Sequence, residues 1–234
     1  MFMVLLAALK TLLYRSTRQE DVVVGSHIAN RNRAEIEGLI GFFVNILVLR
    51  SDLSGRPTFR EVLERVRRTT MEAYAHQDLP FERLVEELQP QRDMSHNPLF
   101  QVAFNFTGRA QGQSQDSAAA AAPGRRMPLK VSVVEPEETQ VRFNFMLAMS
   151  HDPAGLRGSW EYSSELYDAA TVERVHRRFL RLLESIARQP EAVIDDLEML
   201  SAEEAEERAQ VEETSRAAAY ERFKAAKPKW MKAV

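Results

Sequence analysis

The sequence predicts an α/β fold, and three observations predict it. Short runs of β-branched and aromatic residues alternate with longer segments whose apolar positions recur at helical spacing. Capping residues stand in front of several of those helical segments. Polar turns carrying Asp, Pro and Gly separate the pieces.

The elements follow in order. Phe2 to Tyr14 reads as a buried helix, an apolar run interrupted only by Lys10. No basic stretch precedes Phe2, and the run is shorter than the roughly 20 apolar residues a membrane-crossing helix needs. It is read as one more core helix or, because it begins without a polar cap, as a helix whose apolar surface is meant for a neighbouring lobe. Asp21 to Ile28 reads as a strand, Gly38 to Gly41 as a bend, and Phe43 to Leu49 as a mostly apolar strand central in a sheet. Thr58 and Glu61 have the capping-box spacing and open a helix ending near Tyr74 or His76, with Val62, Leu63, Val66, Thr70 and Ala73 on one face.

A short helix from about Leu79 to Leu88 follows, with Pro80 in its first turn and Asp78 placed to cap it. Its inward side is Leu84, Val85 and Leu88. Gln101 to Phe106 alternates as a strand, and residues 107–126, with five consecutive alanines and no large apolar anchors, read as a mobile loop. Val131 and Val133, then Val141, Phe143, Phe145 and Leu147, read as two antiparallel strands split by an acidic turn. A turn over His151 to Gly155 leads to a strand over Gly158 to Ser163. Asp168 caps the long helix that follows, with Tyr167 stapled onto Val172 and a stripe of Val175, Phe179, Leu182, Leu183 and Ile186. Ser201 and Glu204 repeat the capping box before a helical, finally basic tail over residues 209–234.

Composition narrows the class. With 234 residues, 44% hydrophobic and only 9 Gly and 10 Pro, the chain can bury a sizeable core. A formal charge of −3 gives no support for nucleic acid as a partner. The absence of cysteine excludes disulfides, thiolate zinc sites and cysteine nucleophiles, and suits a cytoplasmic location. No segment calls for a membrane.

Three segments carry a resemblance. Ile40-Gly41-Phe42-Phe43-Val44-Asn45 with Leu49-Arg50, His76-Gln77-Asp78-Leu79-Pro80-Phe81-Glu82, and Arg92-Asp93-Met94-Ser95-His96-Asn97-Pro98-Leu99 occur in that order. They resemble the fifth, sixth and seventh motifs of the condensation domains of nonribosomal peptide synthetases. Gly158 to Tyr162 and Leu166-Tyr167-Asp168 continue the likeness, which covers roughly Phe2 to Arg208. With the alternation of elements, it predicts a mixed sheet flanked by helices, one lobe of a chloramphenicol-acetyltransferase-like two-lobed fold. Residues 1–208 are then the C-terminal lobe of a condensation domain.

The resemblance implies amide-bond formation between carrier-bound acyl and aminoacyl thioesters. No cofactor is expected on this chain itself, because the phosphopantetheine arms belong to partner peptidyl carrier proteins. The family's HHxxxDG motif, carried on its N-terminal lobe, is absent here, so no catalytic residue is assigned and the isolated chain is expected to be inactive. The expected structural partner is that N-terminal lobe or a second copy of the chain. The alternative reading is a carrier-binding or scaffold protein that kept the lobe and lost its chemistry. A wider acyltransferase of the same group would also need the missing histidine motif.

Residue roles follow from the likeness. Arg31, with Arg33 beside it, is the candidate cross-lobe partner for the missing motif's aspartate, although a surface arginine in a polar turn fits equally well. Asn45 either lines a tunnel or satisfies a buried backbone group. His76 is placed to cap a helix end; Gln77, Asp78, Pro80, Phe81 and Glu82 build the following turn and helix start. Arg92 and Asp93 are placed to fix the turn into Asn97. His27, His151 and His176 fall in three different elements, which gives no basis for a metal site.

Overall fold

The computed structural model describes residues 1–90, 97–107, 141, 143–153, 155–201 and scattered positions between 204 and 220. They form α1 (Phe2–Thr17), β1 (Asp21–Ile28), α2 (Ala34–Glu37), β2 (Asn45–Asp52), α3 (Phe59–Ala75), α4 (Phe81–Leu88), β3 (Val102–Thr107), β4 (Phe145–Asp152), β5 (Gly155–Tyr162) and α5 (Ala169–Arg188). The sheet runs β2-β1-β3-β4-β5. Its inner pairs β1–β3 and β3–β4 are parallel, and its outer pairs β1–β2 and β4–β5 are antiparallel. The sheet is therefore mixed, as the alternation of elements predicts. Among the described residues no helix is long and apolar enough to cross a membrane.

Strand alternation divides the side chains between two faces. Val22, Val24, Leu47, Leu49, Phe104, Leu147 and Met149 point to one face and join α1, α3 and α5 in the main core. Val23, Ile46, Val48, Ala103 and Met146 belong to a smaller cluster with Phe81, Leu99, Phe100 and Phe143. Gly25 in β1 is what lets this second layer close: a Cβ there would stand 2.1 Å from the Phe100 ring.

The helices form where their caps and stripes place them. Thr58 and Glu61 make the full capping box of α3, and the Asp168 carboxylate accepts from the Thr171 N–H at 2.6 Å to start α5. Phe179, Leu182 and Ile186 of α5 are buried in the main core. Beyond α5 the chain pairs with the N-terminal end of α3: the Phe59 N–H donates to the Ala192 carbonyl and the Ile194 N–H to the Pro57 carbonyl, each at 3.0 Å. Arg15 of α1 ties this return in place by donating to the carbonyls of Ile194 and Leu197. Ser201 and Glu204 exchange the reciprocal bonds of a second capping box.

Several expectations are corrected. β2 is an edge strand, not a central one. It reads as apolar on both sides because α3 covers one face while the Phe81 and Phe100 cluster covers the other. α1 is buried, as its apolar run predicts, but it keeps no apolar face for a neighbouring lobe: every residue from Leu5 to Leu12 is enclosed by the sheet, α3 and α5. A cluster of exposed apolar residues lies instead between α2 and β2, at Leu39, Ile40, Phe42 and Val44. α4 starts at Phe81 with Pro80 at its N-cap, and Leu88 points outward. Asp78 does not cap α4; its carboxylate accepts from Asn32 Nδ2 at 2.8 Å.

β4 begins at Phe145 rather than Val141, and β5 begins at Gly155 rather than Gly158. The Tyr167 ring packs on Phe145, 5.2 Å between centroids. The strand read at Val131 and Val133 lies outside the described residues, as do the expected loop beyond Thr107 and most of the tail.

Lys10 explains why one charge interrupts the first helix. It is fully buried, and its ammonium donates to the Leu49 carbonyl and Ser51 Oγ, both at 2.7 Å, and to the Val22 carbonyl at 3.4 Å. Three acceptors match its three N–H groups, so one side chain joins α1 to both β1 and β2. Burial disfavours the charged form and pulls its pKa down to about 7, against a smaller opposing pull from Asp21. The unfolded chain holds this proton up to the ordinary lysine range. Between the two pKa values the unfolded state therefore binds more protons, and stability rises with pH by about 1.4 kcal/mol per pH unit. Lys10→Met should remove that slope. Urea unfolding at pH 7 and pH 9 should show the native chain gaining about 2 kcal/mol relative to the variant; equal slopes would contradict this account.

Candidate functional site

The end of β1, the loop into β2 and the start of α4 enclose a cleft of about 360 Å³. Its lining combines Phe42, Phe43, Val44, Ile46 and Phe81 with the polar groups of His27, Asn30, Asn45, Asp78 and Glu82. The charged side chains in that lining are two carboxylates, so the cleft favours cationic or hydrogen-bond-donating groups over anions.

Asn45 holds the cleft together. Its Nδ2 donates to the Gln77 carbonyl at 2.9 Å and the Leu79 carbonyl at 2.8 Å, while its Oδ1 accepts from the Phe81 N–H at 3.1 Å. One buried amide at the start of an edge strand thereby clamps the turn that launches α4. The structure thus places Asn45 on a backbone-satisfying duty while it also lines the cleft. Phe81 then packs edge-on against Phe100, 6.0 Å between centroids, and Glu82 sits exposed in the first turn of α4, where its charge meets the positive helix end. His76 is the C-cap of α3, through its backbone N–H to the carbonyls of Ala73 and Tyr74. Asn97 Oδ1 accepts from the N–H groups of Leu99 and Phe100, which fixes the turn into β3.

Arg31 is engaged locally. Its guanidinium donates to the carbonyls of Ile36 at 2.5 Å, Leu39 at 2.8 Å, Gly41 at 3.3 Å and Glu37 at 3.4 Å, and stands 4.3 Å over the Phe43 ring. It gathers the loop that carries Leu39, Ile40 and Phe42. Arg33 is exposed at the N-cap of α2. Arg92 and Asp93 lie outside the described residues.

Sequence reasoning missed the partnership of His27 with Asn105. They sit on β1 and β3, and Asn105 Oδ1 lies 3.2 Å from the His27 backbone nitrogen and 3.0 Å from its Nδ1. The His27 ring lies 5.3 Å from that of Phe143. Only the parallel pairing of β1 with β3 brings these groups together, because they stand 78 positions apart along the chain without a shared motif.

Mixed sheet, helical layer and cleft together define the class. The condensation-domain family model matches residues 1–208, and the chain belongs to that family. Among the proteins it is similar to, a linear gramicidin synthase of Brevibacillus parabrevis is 45% identical over 206 residues, 87% of this chain and 4% of that protein. Malpinin synthetase of Mortierella alpina is 42% identical over 204 residues, 87% of this chain and 2% of that protein. The X-domain from teicoplanin biosynthesis superposes with a TM-score of 0.74 at 29% identity, over 86% of this chain and 44% of that one. The first condensation domain of the CDA synthetase shares the fold, with a TM-score of 0.63 at 20% identity, over 85% of this chain and 42% of that one. The chain spans a small fraction of its curated relatives and less than half of both solved chains.

Removing the Asn45 amide leaves one N–H and two carbonyls without their partner. Asn45→Ala should cost about 2–4 kcal/mol in urea unfolding, and Asn45→Asp should cost more, because a carboxylate would face the carbonyls of Gln77 and Leu79. An Asp variant as stable as the native chain would show that the clamp is not the source of order here.

Proposed function

We propose that residues 1–208 form the C-terminal lobe of a nonribosomal peptide synthetase condensation domain, followed by a basic tail over residues 209–234. Its cleft is one wall of the tunnel in which an amide bond joins carrier-bound thioesters. The observation that carries this reading is the loop over residues 39–44. Leu39, Ile40, Phe42 and Val44 are exposed although they lie in a family motif, and Ile40 and Phe42 stand almost wholly in solvent. Such a cluster beside a polar cleft suits a surface completed by a second lobe. The match to less than half of solved family members supports the same reading.

The N-terminal lobe supplies the HHxxxDG histidine, and partner peptidyl carrier proteins bring the phosphopantetheine arms, in the cytoplasm. Amide formation from a thioester and an amine requires both reactants to be held in register, worth up to about 7–11 kcal/mol. Half a tunnel does not provide that. Arg31 serves twice: it gathers the 36–41 loop and, with Arg33 nearby, presents positive charge toward the other lobe.

A second reading has one observation in its favour. The teicoplanin X-domain, 28% identical over 85% of this chain, has been solved as a complex with OxyB. A module that docks a partner protein is the corresponding role here.

Supplied with two loaded carrier proteins, the chain alone should form no joined product above background by intact-mass detection. Adding an N-terminal lobe containing HHxxxDG should restore product, and Arg31→Ala should reduce it by roughly tenfold, the scale of one lost charge-assisted bond. Product from the isolated chain, abolished by changing His76 or His96, would place the base in this lobe and overturn the proposal.

A further inference from the structure

The cleft contains an acceptor pair that neither the fold nor the motifs use. The backbone N–H of His27 is a donor by necessity, so the Asn105 atom facing it is the carbonyl oxygen, with the amide nitrogen turned to Met146 Sδ at 3.3 Å. That same oxygen lies 3.0 Å from His27 Nδ1. An acceptor there holds the proton on Nδ1, and in the neutral ring Nε2 keeps its lone pair. Among the described residues no partner takes Nε2. In the same lining, Asn30 has a left-handed backbone at φ 50°. Its Oδ1 is buried and is the atom left without a hydrogen-bond partner among the described residues.

An unpartnered buried oxygen is costly, and native proteins keep few of them. Here it shares a cleft with the His27 imidazole and the carboxylates of Asp78 and Glu82, between the apolar walls of Phe42, Phe43 and Phe81. These four groups are acceptors, whereas the Asn45 amide in the same lining is spent on the backbone of Gln77, Leu79 and Phe81. We propose that the cleft is a subsite for an amine on an apolar side chain, with His27 Nε2 and Asn30 Oδ1 accepting its N–H bonds and Asn105 acting as the positioning residue that fixes the His27 tautomer. The inference rests on the tunnel reading above and adds to it which residues of this chain select the amine.

The test uses the full chain labelled with ¹⁵N-histidine and two small probes of similar shape: phenylalaninamide, which donates, and 3-phenylpropanoate, which is an anion and only accepts. NMR of the native chain should show His27 protonated on Nδ1, and phenylalaninamide should shift its Nε2 resonance saturably while phenylpropanoate leaves it unmoved. His27→Phe should weaken phenylalaninamide binding roughly tenfold. Asn105→Leu, which leaves the imidazole in place, should give mixed tautomers and a several-fold loss. If circular dichroism shows His27→Phe unfolded, the tautomer and the Asn105→Leu arm decide. A proton on Nε2, equal binding of both probes, or no saturable shift would overturn the proposal. Lobe complementation separates it from the parent reading. Restored product with an unresponsive Nε2 sinks this inference alone; a responsive Nε2 with no product from any lobe sinks the tunnel reading and leaves the amine subsite.

Discussion

Everything in the fold leans on the burial of α1 between the sheet and the helices α3 and α5. Leu5, Leu6, Leu9 and Leu12 are at most 2% exposed, and at about 1.5–3 kcal/mol for each buried leucine this contact is one of the larger apolar contributions in the molecule. A helix so enclosed has no face left for polar residues, and Lys10 survives there only because its ammonium finds three acceptors on β1 and β2. The same bonds hold the helix in register with the strands. Arg15, further along the helix, binds the returning segment after α5, so the first and last parts of the core depend on one helix.

The cleft inherits its shape from that scaffold. β1 and β2 pair over their whole length from Asp21↔Asp52 to Ile28↔Asn45, so His27 and Asn45 arrive at the same end of the ladder. Asn45 fastens the turn before α4 to that end, and Arg31 gathers the loop before β2 beside it. Two polar residues with no apolar payload thus determine where the aromatic and aliphatic walls of the cleft stand. The arrangement also leaves Ile40 and Phe42 in solvent beside the cleft. That is an expensive place for apolar surface unless something covers it.

Much was legible in the sequence because it is governed locally. Capping boxes at Thr58 and Ser201 and the Asp168 cap depend on a few neighbouring residues, and the α5 stripe depends only on helical period, so all of them appear where the spacing places them. The family motifs over residues 39–106 were legible for the same reason: each is a contiguous run. β2 misled, because apolar residues on both faces look alike whether a strand is central or sits at an edge with both faces covered. α1 was legible as a buried helix from its apolar run, but its missing polar cap suggested a face for a neighbouring lobe, and a cap says nothing about what packs around the helix. Asp78 looked like a cap until Asn32, brought from another loop, took its carboxylate.

By itself the sequence determined the α/β class, the positions of the capped helices and the family, all of which rest on periodicity, local hydrogen bonds and contiguous motifs. The tertiary structure alone decided the strand order, which elements enclose α1, the three-way bond of Lys10 and the meeting of His27 with Asn105. These depend on residues far apart in the chain becoming neighbours, and strand pairing, which makes them so, is set by the competition of whole surfaces for burial rather than by any short stretch of residues.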